Sequence, residues 1–173
     1  IQDRKRFCFG MDAVLLSGFA QVKENEKVLD MGTGTGIIPI LLEAKTVGED
    51  FYALEIQQDS ADMAKRSVIL NHLEEKIDFV QADVFDYLDE LKENEFDIIV
   101  LDPPAFTKSR RTVQKAYNGY KRINKQAMKV LKNGGYLITC SCSRFMETAN
   151  FEKMLREAAS EAGVVLKQVS EVG

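Results

Sequence analysis

Short apolar runs rich in Val, Ile and Phe alternate along the chain with stretches whose apolar residues recur at helical spacing. The runs at 27–31 (KVLDM), 51–55 (FYALE), 76–80 (KIDFV), 97–101 (DIIVL), 135–141 (GYLITCS) and 164–169 (VVLKQV) predict strands. Between them the spacing predicts helices near 37–46, 59–72, 85–92, 112–132 and 147–162, with one more near 11–22 ahead of the first strand. In the last helix Leu155, Ala158, Ala159 and Ala162 share a face. Continuously apolar strands alternating with helices imply a mostly parallel, doubly wound α/β sheet covered on both sides. No repeat, low-complexity segment or linker interrupts the pattern, so residues 1–173 read as a single domain. In such sheets ligands gather at the carboxyl ends of the strands, near the point where the strand order reverses. Chemistry is therefore expected just after residues 31, 55, 80, 101 and 140.

Composition changes this picture little. Hydrophobic residues make up 45% and charged residues 29%, the balance of an ordinary globular protein. The longest apolar runs fall far short of a membrane span, and no basic, then apolar, leader is visible. Three cysteines without framework spacing favour a reducing, cytoplasmic setting. A chain that opens at Ile1 reads as a piece of something longer. Charge adds more. Residues 107–132 hold nine Lys or Arg and no Asp or Glu, whereas the rest of the chain carries 14 basic against 27 acidic groups. A basic segment on an acidic body, with two tyrosines interleaved, points to a polyanion contact, and a solvated helix face is the plainer alternative.

The turn after the first predicted strand, VLDMGTGTGI, is glycine-rich. Gly32, Gly34 and Gly36 permit a tight turn and a close ligand approach. Ile37 stands where a dinucleotide fingerprint needs its third glycine. Asp30, two residues before Gly32, could face a cation rather than a pyrophosphate. Glu55 closes the second strand, nineteen residues after Gly36, where a carboxylate suits a ribose diol. Asp83, in QADVF after the third strand, could accept from an adenine amino group. Over essentially its whole length the chain resembles the class I, Rossmann-like S-adenosylmethionine-dependent methyltransferases. The resemblance implies S-adenosylmethionine as cofactor and S-adenosylhomocysteine as product. It would set Gly32, Thr33, Gly34 and Gly36 around the methionine end with Asp30 beneath, Glu55 and Ile56 at the ribose, and Ala82, Asp83 and Val84 at the adenine, with Asp102 completing the set. A nicotinamide dehydrogenase fits worse, because the glycine spacing differs and His72, the sole histidine, falls in a predicted helix.

Two halves carry two finer resemblances. RFCFGMDAVLLSGFA (6–20) with KVLDMGTGTGIIPILLEAKT resembles bacterial methyltransferases of adenine N6 in transfer RNA, which nominates Phe9, Gly10 and Asp12 as residues closing over the cofactor. FDIIVLDPPAFTKSRR and GGYLITCSCS resemble ribosomal RNA methyltransferases acting on cytosine C5, and a related guanine-modifying branch. The adenine family would have Asn-Pro-Pro-Tyr where this chain has Asp102-Pro103-Pro104-Ala105-Phe106. A mosaic or engineered chimera joined within 80–96 is one expectation, and absence of the fold's last strand is another. Prolines 103 and 104 stiffen the loop. Asp102 and the neighbouring carbonyls would then meet a base edge, while Phe106 stacks on a flipped base.

Cys140 and Cys142 stand two apart, so on a strand they would share a face. One Cys-x-Cys and a distant His72 do not supply the four ligands of a zinc site, so no metal is expected. A disulfide between such neighbours is strained. Two readings remain: both thiols are small core hydrophobes, or Cys142 is a nucleophile. The resemblance favours the second, since Cys142 in Ser-Cys-Ser falls where cytosine-C5 enzymes carry Thr-Cys-Ser. Many of these enzymes place a second cysteine where Ala105 stands, so the group that removes the C5 proton is unassigned. The sequence thus points to methyl transfer to a base in RNA, cytosine C5 of ribosomal RNA first. N-methylation of adenine or guanine, or a chimera that binds cofactor without turnover, are the alternatives. The expected partner is RNA through 107–132, with a dimer through the exposed sheet edge possible and no membrane.

Overall fold

The computed structural model describes residues 1–2, 9–103, 112–141, 143 and 145–170. Five strands, β1 (Lys27–Met31), β2 (Asp50–Glu55), β3 (Ile77–Gln81), β4 (Phe96–Leu101) and β5 (Leu131–Thr139), pair in parallel in the order β3-β2-β1-β4-β5. The crossovers are α2 (Ile37–Lys45), α3 (Gln58–Leu70), α4 (Val84–Glu90) and α5 (Val113–Val130), flanked by α1 (Met11–Phe19) and α6 (Thr148–Ala162). The chain steps outward from β1 to β3, then returns to lay β4 on the other side of β1. This is the doubly wound α/β architecture expected, with its switch point between β1 and β4.

Strand residues alternate between two cores. Val28, Phe51, Ala53, Ile98 and Val100 pack with Ile38, Leu42 and Val68 under α1, α2 and α3. Leu29, Met31, Leu54, Ile99 and Leu101 pack with Leu88, Ile123 and Ala127 under α4 and α5. Leu29, Leu54, Ile99 and Leu101 are fully buried, each worth about 1.5–3 kcal/mol relative to exposure. α6 lies outside α5, joined through Tyr120, Met128, Met154 and Ala158.

Two sequence expectations change. Residues 164–169 form no strand: they lie in irregular backbone, with Val165 99% and Val169 74% exposed. Their apolar content matches strand preference, but a strand exists only as one side of a ladder, and none of the five described strands forms one with them. The fifth strand begins and ends earlier than predicted, at Leu131 and Thr139 instead of 135 and 141. Its pairing breaks between Phe96↔Leu131 and Ile98↔Tyr136, so residues 132–135 make an excursion that Gly134 permits at φ 81°. His72 stands just past α3 in left-handed backbone rather than inside the helix.

The excursion is clamped by Asp97. Its Oδ2 accepts from the Lys27 backbone N–H at 2.9 Å and from Lys132 Nζ at 2.7 Å, tying β1, β4 and β5 together. Partial burial pushes the Asp97 pKa up, but the hydrogen bond from Lys132, that from Lys27 and the two positive charges outweigh it and hold the carboxyl below its ordinary value. A depressed folded-state pKa contributes stability above the unfolded value, near 4, which is lost as pH falls through the folded one. Asp97→Asn should therefore cost about 1–2 kcal/mol at pH 7 by urea unfolding. The difference from wild type should close as pH drops below about 4.

Candidate cofactor and catalytic site

The site begins with the turn leaving β1. The Leu54 carbonyl accepts from the N–H of both Gly32 (3.0 Å) and Thr33 (2.8 Å), which turns the chain off the sheet at once. Gly32, Gly34 and Gly36 all hold positive φ, at 84°, 59° and 78°. A Cβ on Gly32 or Gly34 would meet nothing within 4 Å, so both open onto free space, whereas one on Gly36 would press on Ala64 Cβ at 3.2 Å. Gly36, in the left-handed region, caps the start of α2.

Glu55 lies at the end of β2 and is buried. Its Oε2 accepts from the Gly34 N–H at 2.9 Å and its Oε1 from the Gln57 N–H at 2.7 Å. The carboxylate thus fixes the glycine loop to the neighbouring strand end, a link that the sequence pattern, which suggests only a ribose ligand, does not reveal. The backbone carbonyl of Glu55 accepts from Ala82 N–H at 3.2 Å, which brings β3's exit alongside. Ile56 next to it is 56% exposed despite being apolar.

Asp30 sits deeper, on β1 beside the switch point, 2% exposed, and neither carboxyl oxygen has a hydrogen-bond partner among the described residues. Burial pushes its pKa up to about 7, and the nearby carboxylates of Asp102 and Glu55 add to the rise. The Thr33 hydroxyl pulls the other way without completing a bond, its own oxygen being unpartnered too. Three acids from β1, β2 and the end of β4 are thereby gathered in one place. The described residues contain no cluster of His, Cys, Asp and Glu suited to a metal ion.

At the end of β4, Asp102 is half-buried and Pro103 buried. Cys140 follows β5, its N–H still donating to the Leu101 carbonyl at 3.2 Å, and its thiol donates to Asp102 Oδ1 at 2.9 Å. The two segments richest in chemistry, Asp-Pro and Cys-Ser, therefore meet. The strand stops at Thr139, so Cys140 stands half-buried just beyond it. Cys142, Pro104 and Phe106 lie outside the described residues.

Other nominated residues take structural roles. Asp83 caps α4, its Oδ1 accepting from Phe85 N–H at 2.8 Å, flanked by half-buried Ala82 and Val84. A capping acid immediately ahead of an apolar helix start is the signal DVF carries. Phe9 packs on the first core, Gly10 caps α1, and Asp12 is exposed in its first turn. Much of the basic segment is engaged. Lys121 reaches Glu161 at 2.9 Å and Glu157 at 3.5 Å, Lys125 reaches Glu161 at 2.9 Å, and the Arg122 guanidinium lies 3.9 Å from the Phe85 ring centre. Lys115 and Lys129 are exposed, while Lys108, Arg110 and Arg111 lie outside the described residues.

A family model, the Methyltransferase small domain, matches residues 10–168. The chain belongs to that family. As a Methyltransferase small domain protein it has the class I fold, and its cofactor is S-adenosylmethionine. Curated relatives include a ribosomal RNA large subunit methyltransferase I of Pseudoalteromonas translucida, 44% identical over 113 residues, or 64% of this chain and 28% of the relative. Another of the same description, from Salmonella paratyphi B, is 37% identical over 144 residues, covering 81% of this chain and 35% of the relative. The chain thus spans about a third of the relatives it matches. Among solved structures, a methyltransferase complexed with SAH superposes with TM-score 0.66 at 19% identity, over 86% of this chain and 39% of that one. A precorrin-6y C5,15-methyltransferase of Geobacter metallireducens gives 0.67 at 12%, over 94% and 75%.

The residues present fit that cofactor on physical grounds. Gly32 and Gly34 open onto free space at the carboxyl end of the sheet, and beneath them is a buried acid without a hydrogen-bond partner. The loop's geometry is exacting at Gly36. Gly36→Ala combines a left-handed backbone with contact at Ala64, and should lower stability by about 1–2 kcal/mol in urea unfolding.

Proposed function

We propose that this chain carries the catalytic domain of an S-adenosylmethionine-dependent RNA methyltransferase whose target is cytosine C5 of ribosomal RNA. The observation that supports this reading is the meeting of Asp102 and Cys140 beside the glycine loop, at the carboxyl end of β4 and β5. The curated relatives named for ribosomal RNA methylation support the substrate class.

C5 of cytosine is a weak nucleophile. In the proposed chemistry the Cys142 thiolate adds to C6, which makes C5 enamine-like. S-adenosylmethionine, held at the glycine loop, would supply C5 with an electrophilic methyl carried on a sulfonium, whose departing form is a neutral thioether. A base then removes the C5 proton, and the Cys142 sulfur is expelled as thiolate, restoring the ring. Pro103 is buried against the fold and stiffens the approach, while Asp102, oriented by the Cys140 thiol, is set to meet the base edge. Glu55, Ile56, Asp83 and their neighbours would hold the ribose and adenine. Phe106 would stack on the base.

Calorimetry with S-adenosylhomocysteine followed by methyl transfer to bulk RNA tests the reading. Binding without transfer would support a chain that holds cofactor and turns nothing over, the mosaic alternative. Cys142→Ala should abolish transfer while cofactor affinity stays unchanged, and RNA bearing 5-fluorocytosine should be trapped on wild type as a covalent adduct. Normal transfer by Cys142→Ala would redirect the chemistry to a ring or exocyclic nitrogen, whose lone pair needs no thiolate.

RNA binding is proposed for the start of the basic segment, where Arg110, Arg111 and Lys115 precede the lysines already paired with α6. Replacing those three with Ala should flatten the dependence of RNA affinity on salt, by roughly one logarithmic slope unit for each phosphate no longer neutralised. An unaltered slope would make the segment a solvated surface.

A further inference from the structure

Among the described residues, Asp30 is a buried ionisable group whose two carboxyl oxygens both lack a hydrogen-bond partner. It is 2% exposed, and the charged groups that face it, Asp102 after β4 and Glu55 on β2, are themselves acids. Thr33 is the one polar neighbour acting in the other direction. A buried carboxyl beside two like charges is pushed toward its neutral form, and a cation brought close reverses that push. The space above it, at Gly32 and Gly34, is open. Resting on the cofactor reading above, we propose that Asp30 keeps its proton in the free protein and gives it up when the cationic end of S-adenosylmethionine settles over the glycine loop, so that cofactor binding expels a proton.

The burial-raised pKa of about 7 fixes where this is visible. An opposite charge brought close favours the ionised carboxylate and returns it toward the ordinary range. Near pH 7 the free protein is half protonated at Asp30 and the complex is not, so roughly half a proton leaves per ligand bound. The sign follows from linkage. Binding tightens as pH rises toward about 7 and becomes insensitive to pH above it, because the free protein has by then lost the proton already.

The experiment is calorimetric titration of the chain with S-adenosylmethionine, without any methyl acceptor, in paired buffers of different ionisation enthalpy from about pH 6 to 8.5. The expected result is a proton release of about half at pH 7 that vanishes toward pH 8.5 and disappears in Asp30→Asn. Across the lower pH unit, wild-type affinity should rise several-fold while that of Asp30→Asn stays level. Binding without proton exchange, binding with proton uptake, or equal release in Asp30→Asn overturns the proposal while leaving the cofactor reading intact. Absence of binding at every pH overturns both. If Asp30→Asn fails to fold, the wild-type release and its midpoint decide the question alone.

Discussion

The Leu54 carbonyl accepts two N–H groups, from Gly32 and Thr33, and the rest of the site depends on that shared acceptor. It belongs to β2, yet it dictates the path of the chain leaving β1. Because β1 and β2 are in register at Met31↔Leu54, the turn can begin only where both strands end together. Gly32, Gly34 and Gly36 then take left-handed backbone, which glycine alone adopts without strain. Gly34 donates back to Glu55 on β2, so the loop is anchored at two points on one neighbouring strand. What results is a rigid rim with its open side facing away from the sheet.

The same alignment explains the crowding of acids. Parallel strands that end level present their terminal side chains at one edge, and here those include Glu55 and Asp102, with Asp30 one step inside. Two of the three have found donors: Glu55 takes two backbone N–H groups, and Asp102 takes the Cys140 thiol. Asp30 has none, and an interior acid without a donor destabilises the free protein rather than supporting it. A fold that tolerates such a group does so for a reason other than packing, since the two cores around it are apolar and closed without it. A cost of this kind is expected where binding, not stability, sets the residue.

Much of this was legible in the chain. Apolar runs located all five strands, and the glycine spacing separated this turn from a dinucleotide fingerprint, because both signals are local. The bond between Asp102 and Cys140 joins residues 38 apart in sequence and could not be read from either segment. Nor could the length of β5, because its start is set by pairing with Phe96 and by the Asp97 clamp rather than by its own residues. Residues 164–169 failed for the converse reason. Val165, Leu166 and Val169 have the preference of a strand, and preference without a partner gives exposed irregular backbone. Asp83 shows a third kind of limit, since one residue type serves both a helix cap and a ligand site.

Charge counting shows where basic residues stand in the chain but not what they meet once it folds, as α6 illustrates. Read in one dimension, the lysines of α5 look alike. Folding lays α6 along α5 and sets Glu157 and Glu161 against Lys121 and Lys125. Arg122 places its charge over the Phe85 ring, and Lys132 sets its own against Asp97. The acids that neutralise this helix come from segments up to 40 residues away, where the local excess of basic residues gives no hint of them. Lys115 near the start of α5 and Lys129 near its end stay exposed.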